Sequence, residues 1–202
     1  MRITKLKPGY EKLSLEKARL IAHLIGDGCV YKCRTDYNIC YDIIDDGLLQ
    51  QFVEDFIFVY GIKPKISIKR SGKTGKLLPN LRIRSKLAYL DLIDYCDYFS
   101  KTWSVPKQIF NSSQKIKKEF LIALYDDEGS VIPYGKSVII RLYSINLSGL
   151  KQVRKLLGDF WIKTKIQKGF GLRRNVYSLT TKDVNSFYEK LGFYCVRKQK
   201  KI

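Results

Sequence analysis

The pattern of apolar positions is dominated by two runs, Leu20-Ile21-Ala22-His23-Leu24-Ile25-Gly26-Asp27-Gly28 and Leu121-Ile122-Ala123-Leu124-Tyr125-Asp126-Asp127-Glu128-Gly129. At helical spacing each is apolar nearly all round, which predicts a helix covered on two sides rather than one lying half in water. The simplest second cover for each run is the other. Ala22 and Gly26 form a small edge at i and i+4 where a second backbone can come close, and Ala123 is the matching small residue. Both runs end in an acid followed by glycine, the residue type that commonly follows a helix end. A carboxylate beside the negative end of a helix dipole calls for a cation, so two such ends side by side are a ready divalent-metal site.

Around these runs, helical stretches alternate with period-two stretches. Helices are predicted over 15–27, 47–60 and 87–99, and strands over 29–34, 37–44, 65–70 and 81–86, the first strand pair turning at Thr35-Asp36. The second half repeats the order, with helices over 113–128, 148–160 and 183–191 and strands over 130–134, 138–144, 164–168 and 176–181. Ser14 is the expected cap of the first helix, and Ser112 or Ser113 that of the fourth. Residues repeat as well: Gly47-Leu48 matches Gly149-Leu150, and Ile62-Lys63-Pro64-Lys65-Ile66 matches Ile162-Lys163-Thr164-Lys165-Ile166. The expected fold class is α+β: two pseudo-twofold-related αββαββα repeats, 1–108 and 109–202, with antiparallel sheets and the acid-ended helices at their interface.

Charge changes the picture next. With 38 Lys+Arg against 19 Asp+Glu the formal net charge is +19, an excess that repels itself in the folded state and points to a polyanionic partner. Several predicted strands carry their basic residues on alternate positions: Lys65, Ser67 and Lys69; Arg82 and Arg84; Lys32 and Arg34; and, in the second repeat, Arg141, Lys165 and Gln167. Arg and Gln on such a face can read base edges, while Lys finds phosphates. Lys73 and Lys76, and Arg173 and Arg174, are placed at hairpin tips reaching the outer ends of a long site.

The two nine-residue runs, about a hundred residues apart in a basic chain, resemble the LAGLIDADG homing endonucleases of the single-chain, two-repeat type. The resemblance implies a monomer that clamps double-stranded DNA and hydrolyses one phosphodiester in each strand. It implies Mg²⁺ or Mn²⁺ held by Asp27 and Glu128, with Gly26 and Asp127 beside them in the metal site. Lysines following the last helix of each repeat are matched to Lys107 and Lys198, which would polarise water or offset developing charge, with Lys101 and Lys200 as rivals. The chain departs from the motif at Ile25, which replaces its first acid, and at Asp127, which replaces its second small residue. An RNA maturase, or a DNA-binding regulator that does not cut, are the alternatives the same scaffold allows.

Other chemistry is thin. The five cysteines show no CxxC pair, so a zinc site is not expected; they read as buried thiols, with a Cys33–Cys40 bridge as an open alternative. His23 reads as a packed histidine. Gly72-Lys73-Thr74 lacks the upstream glycine and following helix of a phosphate-binding loop. No apolar stretch approaches the roughly 20 residues of a membrane span and the start lacks a secretory pattern, so a cytoplasmic, intracellular protein is expected.

Overall fold

The structure is a computed structural model that describes residues 6–70, 75 and 77–201. The first repeat comprises α1 (Leu15–Ile25), β1 (Gly28–Cys33), β2 (Asp36–Tyr41), α2 (Asp46–Tyr60), β3 (Lys65–Arg70), β4 (Leu77–Arg84) and α3 (Lys86–Tyr95). A short helix, α4 (Lys107–Phe110), leads into the second: α5 (Gln114–Glu128), β5 (Gly129–Tyr134), β6 (Ser137–Ser144), α6 (Leu147–Gly158), β7 (Lys165–Lys168), β8 (Tyr177–Thr181), α7 (Val184–Lys190) and α8 (Val196–Gln199). The sheets have the orders β1-β2-β4-β3 and β5-β6-β8-β7, with every neighbouring pair antiparallel. This is the expected α+β pair of repeats.

The two apolar runs are the spine. Leu20, Ile21, Ala22 and Leu24 of α1 and Leu121, Ala123 and Leu124 of α5 are buried, and the two helices pack on each other. Each fully buried Leu or Ile contributes about 1.5–3 kcal/mol of apolar transfer, so the seam between repeats is also a large part of the core. The helices run in the same direction, since Arg19 meets Glu119 at one end and His23 meets Asp127 at the other. Arg19 ties the seam on its polar side: Nε and Nη2 donate to Asp55 of α2 at 2.8 and 2.6 Å, and Nη1 donates to Glu119 of α5 at 2.7 Å.

Three glycines owe their place to close approach. A Cβ on Gly26 would lie 2.7 Å from the Cβ of Asp127, so the two backbones touch there. Gly28 and Gly129 are not left-handed helix ends, as the sequence pattern suggests; each opens a strand that folds back on its own helix. A Cβ on Gly28 would lie 2.7 Å from Cα of Leu24, and one on Gly129 would lie 2.4 Å from the carbonyl oxygen of Tyr125.

Element bounds differ from expectation at several ends. The first helix stops at Ile25, leaving Gly26 and Asp27 in the bend before β1. Helix α3 stops at Tyr95, and the short helices α4 and α8 are additional. The first hairpin turns at Arg34-Thr35, with Arg34 in the left-handed region at φ 52, so Arg34 is a turn residue and not a strand residue. Tyr98, Trp103 and Val105 pack the link between repeats, Trp103 lying over Gly149, where a Cβ would be 2.5 Å from its ring.

Candidate active site and nucleic-acid interface

The helix ends bring four acids together. Asp27 follows α1, open to solvent in the bend, while Asp126, Asp127 and Glu128 form the last turn of α5. Burial pushes the Glu128 carboxyl up to about 7, with the charges of Asp27 and Asp127 adding to it. Although the residue is exposed, the Asp27 carboxyl is pushed up to about 6, first by the protein crowded around it and then by Asp127, with Lys198 pulling the other way. The charge of Asp27 therefore reaches Glu128 across the repeat interface, and that of Asp127 reaches both. Like charges held this close favour a proton or a cation between them.

The other two acids have structural partners. Asp126 accepts the backbone N–H groups of Tyr194 and Cys195 at 3.1 and 3.0 Å, which pins the C-terminal segment against α5. Asp127 has a side chain with no exposure and crosses the interface: Oδ2 lies 3.0 Å from Nδ1 of His23, and Oδ1 accepts the Tyr41 hydroxyl at 2.9 Å. Burial works against a charged His23, but the neighbouring Asp127 outweighs it and the ring's pKa is raised. Both Asp127 side-chain oxygens are thus committed within the protein. Its departure from the small residue of the motif is answered by His23 and Tyr41, a pairing that no spacing rule reveals.

The two matched lysines are placed differently. Lys198, on α8, is at the end of α5: its Nζ donates to the carbonyl oxygens of Tyr125 at 3.1 Å, of Asp126, and of Asp127 at 3.3 Å. Burial lowers its pKa, against the pull of Asp126, Asp127 and Asp27. Lys107 is exposed at the start of α4; its carbonyl accepts the Asn111 N–H at 3.0 Å, and its side chain makes no hydrogen bond or ion pair among the described residues. Of the two, only Lys198 is among the charges acting on Asp27 and Glu128.

Strand register assigns the faces. In the first sheet Val30, Ile39, Leu81 and Ile83 face the helices. The opposite, open face carries Lys65, Ser67 and Lys69 of β3 and Arg82 and Arg84 of β4, with Lys65 across from Arg82 and Ser67 across from Asn80. Lys69 is paired with Asp42. Lys32 shares the parity of Val30, so it lies on the helix side and not on the open face. There its Nζ sits 5.3 Å from the Tyr37 ring. In the second sheet Arg141, Lys165 and Gln167 share the open face with Thr180 and Ser178; Arg141 donates to Thr180 and to the Tyr143 hydroxyl, both at 3.1 Å. Each sheet has an open groove on this side, about 520 Å³ beside Lys65, Ser67, Arg82 and Arg84 and about 720 Å³ beside Arg141, Lys165 and Gln167.

The β7–β8 connection holds Arg173 and Arg174, both exposed. Register puts it at the inner end of the sheet, since Gly129, Leu142, Leu179 and Ile166 form one row across the strands and the connection continues beyond it. It therefore lies at the outer edge of the sheet but on the side of Glu128, unlike the far placement that the hairpin pattern suggests. Lys73 and Lys76 lie outside the described residues. The cysteines also differ from expectation: Cys40 is opposite Cys29, Cys33 is opposite Asp36, all five are free, and Cys29 and Cys33 are exposed.

Residues 115–192 match the family model described as LAGLIDADG-like domain. The chain carries the LAGLIDADG fold. The homing endonuclease I-DmoI, in a structure of its mesophilic variants, superposes with a TM-score of 0.63 over 88% of this chain and 94% of that one, at 19% identity. The homing endonuclease I-WcaI bound to its DNA recognition sequence gives 0.60 over 93% and 90%, at 16% identity. Full-length DUF199/WhiA from Thermatoga maritima gives 0.61 over 94% of this chain and 58% of that one, at 15% identity. By sequence, the probable cell division protein WhiA of Ruminiclostridium cellulolyticum is 30% identical over 121 residues, 56% of this chain. The chain covers only 37% of that relative's length. Structures of I-DmoI or its variants with DNA include ones with Mn, Mg and Ca. No helix among the described residues is long and apolar enough to cross a membrane.

Proposed function

We propose that this LAGLIDADG protein is a site-specific double-strand DNA endonuclease of the homing type, acting as a monomer because one chain supplies both halves of the site. The observation that carries the reading is the meeting of Asp27 and Glu128 at two parallel helix ends, between two sheets with basic open faces. A chain that bound DNA without cutting it would gain nothing from crowding acids at one place, where Asp127 raises the Asp27 carboxyl and Asp27 and Asp127 raise that of Glu128.

The donor set suits a hard divalent cation such as Mg²⁺ or Mn²⁺, to be held by the carboxylates of Asp27 and Glu128, with the backbone of Gly26 and Asp127 alongside. Among the described residues no third acid, histidine or cysteine completes a cage, as fits a cation that keeps waters and takes substrate phosphate oxygens as ligands. When bound, such an ion would activate water and offset charge on the phosphate being cleaved. Lys198, fixed by three helix-end carbonyls, would add positive charge beside the phosphate on the second repeat's side. Lys107 and Arg34, both exposed, would grip the DNA backbone, as would Lys73, Lys76, Arg173 and Arg174, whereas Lys32 on the helix side would not. Arg82, Arg84, Arg141 and Gln167 would reach base edges from the open faces, with Lys65, Ser67 and Lys69 on flanking phosphates.

The test is a plasmid in which the two sequences flanking the element that carries the coding region are joined without interruption, incubated with Mg²⁺ and scored for linear product. Cutting by the wild type, lost in Asp27→Asn and in Glu128→Gln while both variants still bind the DNA, is the expected result. An amide variant that cuts at the wild-type rate would show that its acid is not a metal ligand. The sequence match to WhiA favours a second reading, a DNA-binding regulator that does not cut; it predicts specific binding with no cleavage under any divalent cation.

A further inference from the structure

The β7–β8 connection displays two large apolar side chains that the protein itself does not use. Phe170 is 91% exposed and Leu172 is 108% exposed; Gly171 separates the two, and Leu172 is followed directly by Arg173 and Arg174. The connection is nevertheless built. The N–H of Gly169 donates to the Val176 carbonyl at 2.8 Å and that of Val176 to the Arg173 carbonyl at 2.9 Å, while a 3₁₀ turn spans Gly171–Arg173. Gly169 has no room for a side chain, since a Cβ would lie 2.3 Å from the Arg173 carbonyl oxygen, and Gly171 is left-handed at φ 57. A tip ordered in this way holds Phe170 and Leu172 outward at an entropic cost that no contact within the chain returns.

We propose, on the reading that the protein binds duplex DNA, that this tip is a wedge: Phe170 and Leu172 enter between stacked bases while Arg173 and Arg174 hold the adjacent phosphates. Apolar side chains flanked by basic ones insert in this manner at flexible base steps, and the unstacking is offset by the wider contact that a kinked duplex allows. Duplex DNA is favoured as the occupant because the tip continues the edge of the open face that bears Lys165 and Gln167. Three strand spacings of about 4.8 Å separate Gly129 from Ile166, and the tip continues beyond Ile166, on one side of the catalytic centre. The corresponding stretch of the first repeat, Ser71-Gly72-Lys73-Thr74-Gly75-Lys76, contains no large apolar residue. The wedge is therefore assigned to the second repeat; at the matching connection of the first, the exposed apolar residues are Ile68 and Leu77, within the flanking strands.

The experiment replaces Phe170 by Trp in a Trp161→Phe background, leaving Trp103 buried, and titrates the protein with a short fluorescein-labelled mixed-sequence duplex in EDTA. Binding is read by anisotropy of the label and insertion by quenching of the new tryptophan. The expected result is quenching with the same midpoint as the anisotropy change, and binding of the Phe170→Ala/Leu172→Ala variant weakened about 5- to 100-fold, the range for loss of base stacking. Unchanged emission on a duplex that binds, with the double variant binding like the wild type, would overturn the wedge and leave the DNA-binding reading standing. No anisotropy change at low salt would overturn that reading, and the wedge with it. Emission altered by phosphatidylserine vesicles and not by the duplex would assign the tip to a membrane surface instead.

Discussion

The C-terminal ends of α1 and α5 occupy equivalent places about the pseudo-twofold axis, yet they are held by different means. The end of α5 is polar and fully tied: Asp126 anchors Tyr194 and Cys195, Asp127 binds His23 and Tyr41, and Lys198 caps three carbonyls. The end of α1 has Ile25 and Gly26 at the matching positions and relies on apolar burial and close backbone contact. The link that leaves the first repeat is held from the opposite repeat, by Asn146 on the Trp103 carbonyl at 2.6 Å and by Gln152 on the Val105 N–H at 2.8 Å. Backbone symmetry thus survives where side-chain symmetry does not, because packing two helices needs only small residues at the crossing. Each half is free to choose its own polar partners.

The contrast is sharpest at the lysines. If Lys198 serves the phosphate beside α5, Lys198→Met should slow cleavage of one strand by about 10²–10³, the loss typical for one charge-stabilising group. A time course on supercoiled plasmid should then accumulate nicked circles. Lys107→Met should cut with the wild-type ratio of nicked to linear product and lose affinity alone. Equal nicking by both variants would restore the symmetry that the structure breaks.

Stability probes the seam itself. Arg19→Ala removes the cation shared by Asp55 and Glu119 and leaves both acids at the interface. Removal of one partner from a buried ion pair costs about 3–5 kcal/mol, and the slight exposure of this group favours the lower figure. Denaturant melts should show the loss as a lower midpoint with an unchanged slope. Tyr41→Phe deletes one of the two partners of buried Asp127, a smaller loss of about 1–3 kcal/mol. A change near zero in Tyr41→Phe would mean that His23 alone satisfies Asp127.

The smallest effect is a pH dependence. The Glu128 carboxyl is raised in the folded state, from 4.5 to about 7. The stability it contributes is therefore complete below about pH 4.5 and is lost as pH rises through about 7. Without divalent cation, Glu128→Gln should raise the melting temperature near pH 8 and leave it unchanged near pH 4. The same increase at both pH values would mean that the carboxylate's charge is not the source. Asp27→Asn should show the same sign through about pH 6, weakened by its openness to solvent.

The frame was legible in the residues alone: two apolar runs with acids at their ends, strands and helices in the same order twice, and a basic excess. These are local or periodic properties, since burial on two sides demands an all-round apolar helix and a half-buried strand demands alternation. The remaining features depend on how distant segments meet. Lys32 lies on the helix side because register, not alternation, fixes which parity faces the core. Gly28 and Gly129 are glycines because a strand folds back on the preceding helix. Lys198 and Lys107 look alike in a short Lys-Gln match, but they separate once α8 turns back to the end of α5 and α4 leads away into it. The partnership of His23 and Tyr41 with Asp127 joins residues about a hundred positions apart, and such a bond exists only where two helix ends meet.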